Sequence, residues 1–239
     1  MPAHERPSPA DSLTILAEGE IELQGRMPWS SNGTFLATVA LREQIVSAVY
    51  KPHRGERPLW DFPQGLYQRE VAAFELSRTL GWELVPETVL RDEGPLGIGS
   101  LQRFIDADFE QHYFTLLEED QHHEALRTMA VFDLVANNAD RKGGHCLLDA
   151  EGHLWGVDHG LCFHVHPKLR TVIWDFSGEP IPDRLVDDLR RLAACPPDAL
   201  DGLLDQAERD AITKRAARLA RLGVFPDPGD GRPYPWPLV

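Results

Sequence analysis

The stretch "NNADRKGGHCLLDAEGHLWGVDHGLCF", Asn137 to Phe163, crowds three aspartates, a glutamate, three histidines and an Arg-Lys pair between short apolar runs. Two of those runs, "HCLL" and "LWGV", read as strands, and "AEGH" between them reads as a tight polar turn. Such a hairpin brings the residues at its open end together. These are Asp140 through His145 on one side and Asp158 through Gly160 on the other. Two carboxylates distant in sequence then face one site. Their hard oxygens suit Mg²⁺ or Mn²⁺, and a carboxylate not bound to metal can orient a hydroxyl. An Asp after a strand also caps turns and helices, so each aspartate alone has a structural reading. The pair on one hairpin, with Arg141 beside one and a glycine near the other, favours chemistry.

Working outward, "QHHEALRTMAVFDLVANN" before this stretch is helical, with an apolar face at Leu126, Met129, Val131, Phe132 and Val135. Further upstream, "GTFLATVAL" and "IVSAVYKP" alternate and read as an antiparallel pair turning at "REQ". "HRGERPLWDFPQG" is a loop. "LYQREVAAFELSRTLGW" is a helix with Val71, Phe74 and Leu80 at helical spacing and Gly81 as its stop. "LVPETVLRD" and "GIGSLQRFI" are two more strands. Downstream, residues 183–222 are helical with a break at "CPPDA", and "FPDPGDGRPYPWPLV" is too proline-rich for regular structure. The expected class is α+β and bilobal. Residues 12–103 form a small antiparallel-sheet N-lobe with one helix, and residues 104–225 form a mostly helical C-lobe. Residues 1–11 and 226–239 are irregular termini.

The totals set bounds. The chain has 239 residues and a formal net charge of -14, which repels nucleic-acid phosphates and anionic head groups. Three cysteines, Cys146, Cys162 and Cys195, form neither a disulfide framework nor a four-cysteine zinc site. With no secretion pattern and no long apolar run, the expected location is the cytoplasm, without integral membrane association.

"DRKGGH" at Asp140–His145 and "VDHGLCF" at Val157–Phe163 resemble the catalytic and metal-binding motifs of phosphatidylinositol 3-/4-kinase-like proteins, an atypical kinase superfamily with a protein-kinase-like fold. Type II phosphatidylinositol 4-kinases and HipA-like kinases are the most similar in motif. The resemblance extends upstream through "PWSSNGTFLATV", "AVYKP" and "REVAAFELSRTLGWELVPET". It implies an ATP-dependent phosphotransferase acting on a hydroxyl of a protein or small soluble acceptor, with Mg²⁺ or Mn²⁺. On that reading Lys51 contacts the nucleotide phosphates and pairs with Glu70. The backbone around Ser30, Ser31, Asn32 and Gly33 covers those phosphates. Arg103 and Phe104 lie in the hinge that touches adenine. Asp140 accepts or orients the acceptor hydroxyl, with Arg141 beside it, and Asp158 holds the metal. One position departs from the pattern: His145 stands where the family has a metal-binding Asn. His145 then binds a different metal, donates to a phosphate, or marks a lost metal site.

Each upstream residue has a plainer reading. Lys51 can be a surface lysine, Glu70 can face solvent, and Ser30–Gly33 can be an ordinary turn. Two other functions compete with phosphoryl transfer to an acceptor. One is a nucleotide-binding pseudokinase or an AMP-transferring variant. The other is a metal-dependent hydrolase built on Asp158, His159, His164 and His166, with "HVH" as an imidazole pair.

Overall fold

The computed structural model describes residues 8–28, 30, 32–229 and 231–239. By internal contacts the chain divides into two compact units. One runs up to Val71 and includes Pro86–Phe104; the other comprises Ala72–Val85 and Ile105–Val239.

The first unit is a five-stranded antiparallel sheet in the order β1-β2-β3-β5-β4, with helix α1 on one face. The strands are β1 (Glu20–Arg26), β2 (Phe35–Leu41), β3 (Gln44–Pro52), β4 (Thr88–Arg91) and β5 (Gly99–Arg103). Alternation in β3 places Val46, Ala48 and Tyr50 on the face covered by α1 (Pro9–Glu18), where they pack with Ile15, Leu16, Val39 and Leu101. The same alternation puts Lys51 on the opposite face. Helix α1 starts inside the terminus expected to be irregular. Ser8 accepts a hydrogen bond from the Asp11 N–H at 3.2 Å, and Pro9 occupies the first turn, where its missing N–H costs nothing.

The long helix α2 (Leu66–Leu80) begins in the first unit and ends in the second. Its start is capped from the preceding loop. Glu56 Oε2 accepts from Gly65 N–H at 3.0 Å and Glu56 Oε1 from Tyr67 N–H at 2.9 Å. A carboxylate there satisfies orphan donors and complements the helix dipole.

The second unit is mostly helical: α3 (Tyr113–Leu116), α4 (His123–Ala136), α5 (Asp183–Ala194) and α6 (Gln206–Leu222), with a hairpin of β6 (Cys146–Leu148) and β7 (Leu154–Gly156). α4 packs on α6 and β7, and α5 on α6. Leu185, Val186, Leu189 and Leu192 form the buried stripe of α5. Trp82 donates from Nε1 to Asp188 at 2.7 Å, which ties the residues just past α2 to the middle of α5. α6 opens with a reciprocal capping box between Asp205 and Glu208 and ends at Gly223, whose φ of 68° suits glycine. No helix among the described residues is long and apolar enough to cross a membrane.

Candidate active site

The second unit builds its site around the hairpin. Cys146 pairs with Gly156 and Leu148 with Leu154, so the hairpin opens at His145 and Val157, where the Val157 N–H donates to His145 O at 3.1 Å. Asp149 closes the other end by accepting from the backbone of Glu151 and His153 and from Trp155 Nε1 at 2.9 Å. Just past the open end, Asp158 takes a left-handed backbone, φ 60°, and its side chain is 53 % exposed. A non-glycine residue in that region carries strain, which accumulates at functional sites. Asp158 Oδ2 lies 3.6 Å from His145 Nε2, and the Lys142 N–H lies 3.5 Å from His145 Nδ1. Neither contact is as short as a normal hydrogen bond.

Asp140 follows α4 through a left-handed turn at Asn137, φ 53°. Its backbone N–H donates to Asn138 Oδ1 at 3.0 Å, and its carboxylate sits 3.1 Å from Lys142 Nζ. Burial pushes the Asp140 carboxyl above its ordinary range. Lys142 opposes that shift and the charge of Asp158 adds to it.

Beneath these residues lies a buried polar network. Asp133 on α4 and Arg141 are both fully enclosed. Arg141 donates to Asp133 through Nε at 3.0 and 3.1 Å and through Nη2 at 3.0 Å. Its Nη1 reaches Val157 O at 3.1 Å and His145 O at 3.3 Å, and its Nη2 reaches His159 Nε2 at 2.7 Å. A guanidinium only donates, so His159 Nε2 accepts and the imidazole is neutral at that nitrogen. Burial disfavours the charge on Arg141, but the Asp133 carboxylate outweighs that and holds its pKa above the ordinary value. Asp133 also accepts from Asn138 Nδ2 at 3.0 Å and Thr171 Oγ1 at 3.1 Å. One carboxylate thus ties together α4, the Asp140 loop and the strand end that carries Asp158. An Arg141 side chain enclosed in this way orders the loop and does not reach a phosphate.

Sequence reasoning missed Asp133. The available signal was a charged residue inside the apolar face of a helix, between Phe132 and Leu134. Among the described residues the histidines proposed for a hydrolase form no metal-holding group with Asp158. His159 is held by Arg141, while His164 Nδ1 accepts from the His166 N–H at 3.0 Å. Among the described residues no group of three or more His, Cys, Asp or Glu side chains could hold a metal ion.

In the first unit Lys51 Nζ and the buried Glu70 carboxylate form a direct ion pair, with Lys51 22 % exposed. The loop between β1 and β2 is fastened to the segment after β3. Gly33 N–H donates to Gly55 O at 2.8 Å, and Arg57 N–H donates to Asn32 Oδ1 at 3.0 Å. The two glycines touch back to back: a Cβ on Gly55 would sit 2.5 Å from Gly33 O. Ser30 Oγ and Thr34 Oγ1 share a hydrogen bond at 2.7 Å. Ser31 lies outside the described residues. The Gly33 amide is therefore engaged within the loop's own support. Arg103 is paired with Glu87 at 2.5 Å. Its backbone N–H goes to Glu87 O, and that of Phe104 goes to Ser47 O at 2.9 Å.

With this geometry in place, comparison with known proteins is informative. The family described as phosphatidylinositol 3- and 4-kinase matches residues 75–211. That is more than half of the chain and includes Asp133, Asp140, Arg141, His145 and Asp158. The chain belongs to this family. Protein Rv2133c of Mycobacterium tuberculosis (strain ATCC 25618 / H37Rv) is 42% identical over 265 residues, covering 95% of this chain and 95% of the relative. Hydra Fam20, solved with sugar, is similar in fold with a TM-score of 0.53 at 14% identity, covering 87% of this chain and 86% of that one. The Helicobacter pylori proinflammatory kinase CtkA gives a TM-score of 0.49 at 12% identity, covering 88% and 94% respectively. The expected class, a mixed helix-and-sheet kinase-like fold with an antiparallel sheet and a helical part, is the observed one. Membership makes the protein kinase-like. The match begins beyond Lys51 and Glu70.

Proposed function

We propose that this protein is an ATP-dependent phosphotransferase that moves a phosphoryl group to a hydroxyl of a soluble protein or small-molecule acceptor. The observation that carries the reading is the grouping of Asp140, Asp158 and His145 on the Arg141–Asp133 network. Phosphoryl transfer needs positioning and charge neutralisation more than covalent catalysis. Asp140 would orient the acceptor hydroxyl and take its proton. Its desolvation brings its proton affinity closer to that of a usable base. Lys51, held by Glu70, would meet the nucleotide phosphates, and Asp158 would hold the divalent ion.

The donor set suits such an ion. Asp158 offers an exposed oxygen and His145 a nitrogen beside it. Mg²⁺ and Mn²⁺ in phosphotransferases take one or two protein ligands and complete their shell with phosphate and water, so two ligands suffice. Imidazole ranks Mn²⁺ above Mg²⁺. When bound, the ion would neutralise charge on the phosphates. The acceptor is a protein side chain or a polyol in preference to a membrane lipid, since the net charge of -14 disfavours an anionic surface.

The test is transfer from γ-labelled and α-labelled ATP with Mn²⁺ or Mg²⁺, using the intact chain and the Asp140→Asn and Asp158→Asn variants. Movement of the γ-label, lost in both variants, is the expected result. Movement of the α-label assigns AMP transfer. Nucleotide binding with movement of neither label assigns the pseudokinase reading, which the unusual His145 favours. No binding and no transfer sinks all three.

A further inference from the structure

The segment after α6 has no part in the chemistry above, and its prolines suggested an irregular tail. It forms no helix or strand among the described residues, and its backbone is fastened at several points. Phe225 exchanges hydrogen bonds with the 178–179 backbone, its N–H donating to Glu179 O and its O accepting from Gly178 N–H, both at 2.9 Å. Pro233 O accepts from the Thr171 N–H at 3.0 Å and from Trp174 Nε1 at 3.2 Å. Leu238 O accepts from the Gly143 N–H at 2.7 Å. Pro235, between the last two points, is buried. Thr171 is the residue whose hydroxyl donates to Asp133, and Gly143 lies between Asp140 and His145. Contact at Gly143 is close: a Cβ there would lie 3.3 Å from Val239 Cγ2 and Phe114 Cε2, and 3.4 Å from Leu238 O.

We propose that the carbonyls of Pro233 and Leu238 are positioning groups for the reaction, a clamp that holds the Asp140–His145 loop at Gly143 and braces the Asp133 network at Thr171. The inference rests on the function proposed above. Prolines at 233, 235 and 237 fix φ at those positions in the free chain as well, so ordering the segment costs less entropy than it would for other residues. The amide of Gly143 is a donor in the turn that aims His145. Fixing it fixes where the imidazole and the neighbouring Asp140 point, and small misplacements of such groups are expensive in rate.

The experiment compares the full chain with a chain ending at Gly231. It uses γ-phosphoryl transfer kinetics, hydrogen exchange at the Gly143 and Thr171 amides, and a synthetic peptide of residues 232–239 added in trans. The truncated chain is expected to lose about tenfold or more in kcat while KM for ATP changes less than about twofold. Exchange at Gly143 should speed up by about tenfold or more, and the peptide should reverse both effects. Trp174→Phe, which removes only the Nε1 bond to Pro233, should move kcat and exchange in the same direction by less, and it decides the matter where the truncated chain fails to fold. Unchanged kcat and unchanged Gly143 exchange overturn the clamp. So does a rise in kcat, which would make the segment an inhibitory strap. If the full chain transfers no phosphoryl group, the functional reading has failed, and the clamp stands or falls on Gly143 exchange alone.

Discussion

Replacing Asp133 with Ala removes a carboxylate that is 0 % exposed and accepts from three residues: Arg141 through Nε and Nη2, Asn138 Nδ2 and Thr171 Oγ1. Arg141 stays charged and buried, and breaking a buried ion pair from one side costs about 3–5 kcal/mol. The orphaned Asn138 and Thr171 donors each add about 1–3 kcal/mol where water does not reach them. Water entering the space left by the carboxylate, together with the remaining Arg141 bonds to Val157 O, His145 O and His159, holds the sum near its lower end. The expected loss is about 5 kcal/mol, a large share of the roughly 5–15 kcal/mol typical of a folded domain. Urea denaturation followed by Trp fluorescence reads it directly. A double variant, Asp133→Leu with Arg141→Met, removes both charges and should recover most of that loss, yet phosphoryl transfer should stay absent because nothing then ties the Val157 and His145 carbonyls to α4. A single-variant cost below about 1 kcal/mol, or a double variant that keeps its turnover, refutes the assignment of Arg141 as the anchor of the loop.

Other consequences are equally direct. Asp140→Asn should abolish transfer while leaving thermal stability unchanged or raised, because it removes a charge that burial penalises. The sign of the pH dependence follows from the raised Asp140 pKa. The folded state holds that proton to higher pH than the unfolded state does, so stability falls as pH rises through the window between the two values. The acid limb of kcat/KM should lie correspondingly above the ordinary carboxylate range. Lys51→Met should weaken ATP binding and leave Glu70 buried without its ammonium, lowering stability by about 1–3 kcal/mol in a thermal melt. Gly55→Ala should destabilise the first unit by about 1–3 kcal/mol, since its Cβ would meet Gly33 O at 2.5 Å. A thiol reagent should titrate Cys195 quickly and leave the buried Cys146 and Cys162 unreactive until denaturant is added; burial pushes the Cys146 thiol up to about 12.

Local pattern made much of this protein legible before any coordinates. Alternation in residues 35–52 gives the β2–β3 hairpin and the face on which Lys51 lies, because a strand's period of two leaves little choice. The "AEGH" turn and its flanking apolar runs give the hairpin whose open end brings the His145 and Asp158 segments together. Gly81 marks a helix end for a steric reason that any chain shares. What the sequence did not reveal is the destination of side chains that travel far from their own element. Arg141 reads as a companion of Asp140 in the catalytic motif, but its guanidinium turns inward to Asp133. Glu56 reads as a loop residue, but it caps a helix ten positions on. The tail reads as irregular by its prolines, and nothing in that reading shows that its carbonyls find Thr171 and Gly143. Periodicity reports which face of an element is apolar. It is silent on which distant donor meets which acceptor, because those meetings are fixed only when the elements pack and every buried polar group must find a partner.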